Sequence, residues 1–233
     1  MVFVEATNPH KQENYTLIIH IFNKKTGFIL SGSLTLSIPF GIIFHMENQE
    51  KILQIGLSLF SERGYDAVGI QEIVDSAGIT KPTLYHYYGS KEGLLESILS
   101  RYFYSLFDDL QKNAQYQGDV KTNLENIARI YFHFSTTHTK YYRFLLACWF
   151  APSESAAFKA VQRYVQDQQS FLEDIFQQAS NDHGNMRGRH KRYASSFLGL
   201  INTYIALAYN NFLELDETNV GDLVHQFMHG IFS

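Results

Sequence analysis

The chain has one cysteine, Cys148, among its 233 residues, which excludes a disulfide framework and any zinc or iron–sulfur site built on several thiolates. A single thiol also suits a reducing compartment, where nothing is gained by pairing sulfurs. Four prolines and fifteen glycines exclude collagen-like and proline-rich designs. Charge is scarce at 18% of residues, the net value is −4, and no segment is globally basic. A nucleic-acid partner would therefore have to be met by locally placed cations, not by bulk charge. Apolar residues make up 45% of the chain and aromatics 15%. A disordered chain does not reach those values, and this length can bury a real core.

Residues 1–45 differ from the remainder of the chain. Between Thr26 and His45 there is no Asp, Glu, Lys or Arg. As a transmembrane helix the stretch Phe28–Phe44 is diluted by Gly32, Pro39, Gly41 and hydroxyl residues, and as a signal peptide it starts too late. The alternation Leu34-Thr-Leu-Ser-Ile38 favours a strand if anything forms. Residues 1–45 are thus read as an atypical extension, dispensable or poorly ordered, and no membrane partner is expected. Met46 opens a sequence that behaves as a helical domain.

From Glu47 onward the pattern is helical with short breaks. Ile52, Ile55, Gly56, Leu59 and Phe60 recur on one helical face, and Gly64 suits the left-handed position that ends that helix. Short helices come next, near 70–76 and 82–88. Ser90 is suited to N-cap a long helix reaching about Gln115. Further helical patterns cover 120–136, 139–149, 154–180, 190–214 and 217–231. The expected fold is all-α with about nine helices: a three-helix N-terminal domain over 46–95, then a helical domain over 96–233.

The informative segment is Gly69–Tyr88. Two short helices meet at Ala77-Gly78-Ile79, where Gly78 can take positive φ and Ala77 lets the helices approach. Ile70, Ile73, Val74, Ile79, Leu84 and Tyr88 form the apolar set that locks the pair together. This is a helix-turn-helix, and its second helix is the candidate major-groove reader. With Leu84 and Tyr88 inward, Pro82, Tyr85 and His86 face outward, with Lys81 and Thr83 at the edges. Thr80 is the natural N-cap by type, yet Pro82 prefers the first helical position, so either Lys81 caps or the first turn is irregular. Lys91 stands in the first turn of the next helix, where cations are disfavoured, and a phosphate lying there would explain it. The expected division of labour has Tyr85 and Lys91 on phosphates, with Lys81, Thr83 and His86 near base edges.

The run from Lys51 to Leu95, with Leu59-Phe60, Gly64-Tyr65, Ala77-Gly78-Ile79-Thr80, Thr83-Leu84-Tyr85 and Tyr88-Gly-Ser-Lys91-Glu92, resembles the TetR (tetracycline-repressor-like) family of bacterial transcription regulators. It departs from that pattern at Gly69, where Ser or Thr usually caps, at Gly56, where Ala is usual, and at Gly93, where Glu is common. These departures suggest a looser domain. The resemblance implies a cytoplasmic, dimeric repressor, released from a palindromic double-stranded DNA operator by a small ligand bound in a C-terminal effector and dimerisation domain.

For that ligand the aromatic residues Tyr102, Phe103, Phe107, Tyr131, Phe134, Phe144, Trp149, Phe171 and Tyr204 are the candidates, and a hydrophobic or aromatic effector would suit them. The long helix from Ser90 is the expected link between effector and reading head. The wide apolar faces of the last two helices, with Phe197, Ile201, Tyr204, Val224, Phe227 and Met228, are expected to form a two-fold bundle in a homodimer. His225 and His229 at i, i+4 are half a metal site, but with no cysteine and only Asp222 nearby they read as a surface or interface pair. The basic run Arg187–Arg192 reads as a solvated loop. No nucleophile–base pair or phosphate-cradling loop is present, so no enzyme, cofactor or metal is expected. Two rival readings are a membrane-tethered helical sensor using residues 28–44 and a ligand-binding helical protein without DNA binding.

Overall fold

The computed structural model describes residues 2–7, 15–22, 29–36 and 40–230, and side chains from Asn48 onward apart from Asn185. The expectation of poor order elsewhere in residues 1–45 lies outside the described residues. The chain divides into two compact units, Met1–Ile52 and Leu53–Ser233.

The first unit holds β1 (Val2–Thr7), β2 (Tyr15–Phe22) and β3 (Ile29–Leu36) in an antiparallel sheet of order β1-β2-β3. Glu5 pairs with Ile18, and Ile19 with Gly32. Thr16, Ile18, Ile19 and Ile21 explain why β2 is extended, since β-branched residues are stiff and suit a pleated surface. The strand expected near Leu34–Ile38 exists as far as Leu36.

Helix α1 (Phe40–Arg63) begins ahead of Met46, where the sequence pattern opens the helical domain. From Leu53 to Gly230 every described element is helical, as expected. After α1 come α2 (Ile70–Ala77), α3 (Lys81–Tyr88), α4 (Lys91–Asn113), α5 (Val120–Thr137), α6 (Thr139–Trp149), α7 (Ala156–Asp182), α8 (His190–Tyr209) and α9 (Glu217–His229). Among the described residues no helix is long and apolar enough to cross a membrane. Helix α8 stops at Tyr209, short of the expected 214. Asn211 takes φ 60°, and the Phe212 N–H returns to the Leu207 carbonyl at 3.0 Å, a left-handed helix end that asparagine tolerates.

Helix α7 packs on α8, α4 and α6, while α5 carries α9 on its flank. The core is rich in tyrosine, and buried hydroxyls must find partners. Tyr131 Oη donates to Gln168 Oε1 at 2.9 Å, Tyr141 Oη to the Leu99 carbonyl at 3.1 Å and Tyr142 Oη to Asn202 Oδ1 at 2.6 Å. Burial holds all three phenols above their ordinary pKa, so they stay protonated donors at neutral pH. Gln168→Leu should leave the Tyr131 hydroxyl without its acceptor and cost about 1–3 kcal/mol in denaturant unfolding. Adding Tyr131→Phe should recover much of that loss, and an additive double variant would refute the pairing.

Candidate nucleic-acid interface

The helix-turn-helix forms as its local chemistry dictates. Gly69 precedes α2 in extended conformation and offers no side-chain cap, while Ile73, Val74 and Ala77 are buried. At the turn Gly78 sits at φ 63°, ψ 37°, and the Ile79 N–H closes onto the Val74 carbonyl at 3.0 Å. That left-handed geometry is open to glycine and costly for other residues. Thr80 then occupies the N-cap position of α3 in extended conformation, with Lys81 first and Pro82 second in the helix. The capping conflict is thereby resolved without a side-chain cap. Thr80 Oγ1 turns instead to Thr83 Oγ1 at 2.9 Å.

Leu84 and Tyr88 anchor α3 from behind at 0% and 8% exposure, whereas Lys81, Pro82, Tyr85 and His86 are exposed. Thr83 is half-buried and its hydroxyl is engaged by Thr80, which narrows its expected reach toward a base edge. Ser90 caps α4 by accepting the Gly93 N–H at 3.0 Å, as expected. Gly93 does not loosen the domain. A Cβ there would overlap the Tyr88 carbonyl oxygen, so the missing side chain lets the start of α4 close against the end of α3. At Gly56 a Cβ would meet Leu94 Cδ2 at 2.9 Å, again a close approach.

Lys91 departs from its expected setting. Its Nζ lies 4.1 Å from the Tyr65 ring centroid and 5.9 Å from that of Phe60, so aromatic faces account for a cation in the first turn of α4. Burial lowers its pKa, partly opposed by Asp66 and Glu92. Lys91 is half-buried and joins α4 to the end of α1 and the loop after it. Arg63, at the end of α1, is paired with Glu72 of α2.

The aromatic candidates do not converge on one cavity. Phe103, Tyr131, Phe134, Phe144 and Phe171 are all less than 9% exposed and belong to the core. Tyr102 stacks on Tyr141 at 4.7 Å, and Tyr204 on Phe132 at 6.3 Å. Phe107 and Phe171 share a shallow pocket between α4 and α7. Trp149 alone of the set lines a groove of about 660 Å³ between α6, α7 and α8. The groove residues Gln168, Asn202 and Phe212 are not among the candidates that the sequence offers, because a search for aromatic helix faces passes over amides and loop residues, whereas Phe150 belongs to the aromatic run that the sequence does offer. The one available signal was the small and polar series Gly199, Asn202, Thr203 and Ala206 along α8.

The bundle residues also divide. Phe197, Ile201 and Val224 are 0% exposed within a single chain, so they cannot meet a partner as expected. Phe227 packs its ring 4.9 Å from Phe197 and 5.8 Å from Phe176. Met228 is 42% exposed and Tyr204 half-buried, and these two remain available. His225 and His229 are exposed neighbours with rings 4.7 Å apart, and no group of three or more metal-ligating side chains occurs among the described residues.

Residues 52–98 match the model of bacterial regulatory proteins of the tetR family. That match takes in the helix-turn-helix and the first turns of α4, so this segment is a tetR-family domain. Curated relatives include the transcriptional activator FasR of Mycolicibacterium smegmatis, 29% identical over 42% of this chain and 45% of its own. The transcriptional repressor KstR2 of Rhodococcus jostii is 35% identical over 32% of this chain and 37% of its own. The matched segments therefore span less than half of these relatives. Solved structures extend the likeness over more than three quarters of the chain. A TetR-family transcriptional regulator from Bordetella parapertussis superposes with a TM-score of 0.64 at 21% identity, over 78% of this chain and 95% of that one. FadR of Bacillus subtilis, solved in complex with stearoyl-CoA, gives 0.62 at 15%, over 78% and 98%. At such identities the likeness is one of fold.

Proposed function

We propose that this chain is a sequence-specific DNA-binding transcription regulator, a homodimeric repressor that a small apolar effector releases from its operator. The observation that carries this reading is α3: its inner residues Leu84 and Tyr88 are locked, while Lys81, Pro82, Tyr85 and His86 are left exposed on a helix of the tetR-family domain. A helix so anchored can present a fixed polar face to a major groove, with phosphates held at its edges. Two such heads in a two-fold dimer would read half-sites of a palindrome. For the dimer contact we propose the outward surfaces of α8 and α9 around Tyr204 and Met228, in place of the buried Phe197, Ile201 and Val224. Placement in the cytoplasm follows from the DNA partner.

The test is fluorescence anisotropy of the full chain with DNA taken from upstream of its own gene, titrated at several salt concentrations. The expected result is two protomers per site, at least about a thousandfold preference over random DNA, and affinity that falls steeply with salt. Equal affinity for random DNA, or no binding at low salt, would overturn the proposal. The second result would favour a ligand-binding helical protein without a DNA role.

A further inference from the structure

The groove between α6, α7 and α8 has a chemistry of its own. Its walls are Leu145, Leu146, Trp149, Val165 and Leu198 with neighbouring α8 residues, and no Asp, Glu, Lys, Arg or His lines it. Phe150 and Phe212 stand at its rim, 78% and 77% exposed. A volume of about 660 Å³ falls within the range of small-molecule sites. Polar groups in the lining are mostly spent on the protein itself. Gln168, 3% exposed, accepts from Tyr131 and donates through Nε2 to the Tyr164 carbonyl at 3.3 Å. Gln169 donates to Ser195, and Ser195 to the Lys191 carbonyl. Thr203 donates to the Gly199 carbonyl, and Asn210 to that of Ala206.

Asn202 is different. Its Oδ1 accepts the hydroxyl of Tyr142, which is wholly buried, and this fixes which end of the carboxamide is free. Asn202 lines the groove, and its amide nitrogen, with two N–H donors, makes no hydrogen bond among the described residues. A donor held in this way on an apolar wall is matched by a carbonyl, ester or ether oxygen. A carboxylate or phosphate would enter a groove that offers no countercharge, and burying an unpaired anion is far costlier than burying a carbonyl with a hydrogen bond.

Resting on the reading of this chain as an effector-controlled regulator, we infer that the groove is its effector site and takes an uncharged apolar molecule bearing one hydrogen-bond acceptor. Asn202 is the residue that selects it, Tyr142 positions Asn202, and the rim phenylalanines cover the apolar body. A ligand whose recognition depends on an anionic group, such as the stearoyl-CoA seen with FadR, would not be held in this groove through its phosphates.

Trp149 is the only tryptophan and lines the groove, so intrinsic fluorescence of the full chain reports occupancy directly. The probes are 2-dodecanone and dodecanoate, alike in chain length but not in charge. Saturable change with the ketone is expected, with dodecanoate at least about tenfold weaker. Asn202→Leu should weaken the ketone roughly three- to tenfold, the effect of one neutral hydrogen bond. Tyr142→Phe, which frees the carboxamide without altering the apolar wall, should weaken it in the same direction, so misfolding of one variant does not decide the result. Equal or tighter dodecanoate binding, no change in either variant, or no saturable response would each overturn the inference. So would a fluorescence change that follows protein concentration and self-association in sedimentation instead of the ketone, since a second copy would then fill the groove. Operator titration of the same sample separates the two readings: DNA binding without ketone binding sinks this inference alone.

Discussion

Tyr85→Ala is expected to lower operator affinity about tenfold to a hundredfold while leaving the melting temperature within about a degree. The side chain is 45% exposed on α3, so its removal takes little from the core, and a two-fold dimer loses it twice. Tyr85→Phe separates the roles of ring and hydroxyl: a phosphate held by the hydroxyl should be lost in both variants. Lys91 should behave otherwise. Lys91→Ala should weaken binding evenly across DNA sequences and reduce the salt slope by about one per protomer. It should also cost about 0.5–1 kcal/mol of stability, because the ammonium leaves the Tyr65 ring. Lys91→Arg should restore most of both. Anisotropy on operator and scrambled DNA, with melting curves on the same samples, checks all three. An unchanged salt slope in Lys91→Ala would mean that the cation serves only the ring, and a fall in melting temperature that tracks the affinity loss in Tyr85→Ala would remove that residue from the interface.

The contrast between Tyr85 and Lys91 shows where the sequence was legible. The turn at Gly78, the inner pair Leu84 and Tyr88 and the Ser90 cap are decided within a few residues by dihedral freedom, helical period and a hydroxyl acceptor. Such local chemistry can be read directly. The cation–π setting of Lys91 depends on Tyr65, and the closure at Gly93 on the Tyr88 carbonyl, which are tertiary neighbours that no helical wheel supplies. A wheel gives a face but not what covers it. Phe197, Ile201 and Val224 were rightly apolar, yet their faces are spent within the protomer. Most of the aromatic set of α4 to α7 was likewise absorbed by the core, Trp149 being left to the groove. The groove that remains is marked by small and amide residues on α8, and it became visible only once α6 and α7 were in place beside it.

If the groove is the effector site, that same placement would make α6, as much as α4, the link between effector and reading head, and Phe144 its most sensitive point. Leu145, Leu146 and Trp149 of α6 line the groove. One residue away, Phe144 is 2% exposed and stacks on Phe60 of α1 at 5.9 Å. At the start of α6, Lys140 Nζ donates to Ser58 Oγ at 2.8 Å and lies 3.8 Å from Glu62, both on α1. Tyr141 ties the helix to α4 through the Leu99 carbonyl at 3.1 Å. A ligand that displaces α6 must therefore strain its grip on α1 and α4, and only a difference in grip between two arrangements can change DNA affinity. Phe144→Ala is expected to cost about 3–5 kcal/mol, as for a buried aromatic replaced by a cavity, and to leave little folded head to assay. The informative variant is Phe144→Leu with Lys140→Ala, which keeps most of the buried volume and gives up an exposed ion pair of small worth. It should retain ligand and operator affinities within about threefold, while the coupling between them falls from roughly 1–3 kcal/mol toward zero. Coupling is measured twice, as operator affinity with and without 2-dodecanone and as ketone affinity with and without operator, and the two factors must agree because linkage is reciprocal. Full coupling retained in this double variant would show that the signal passes through α4 without α6.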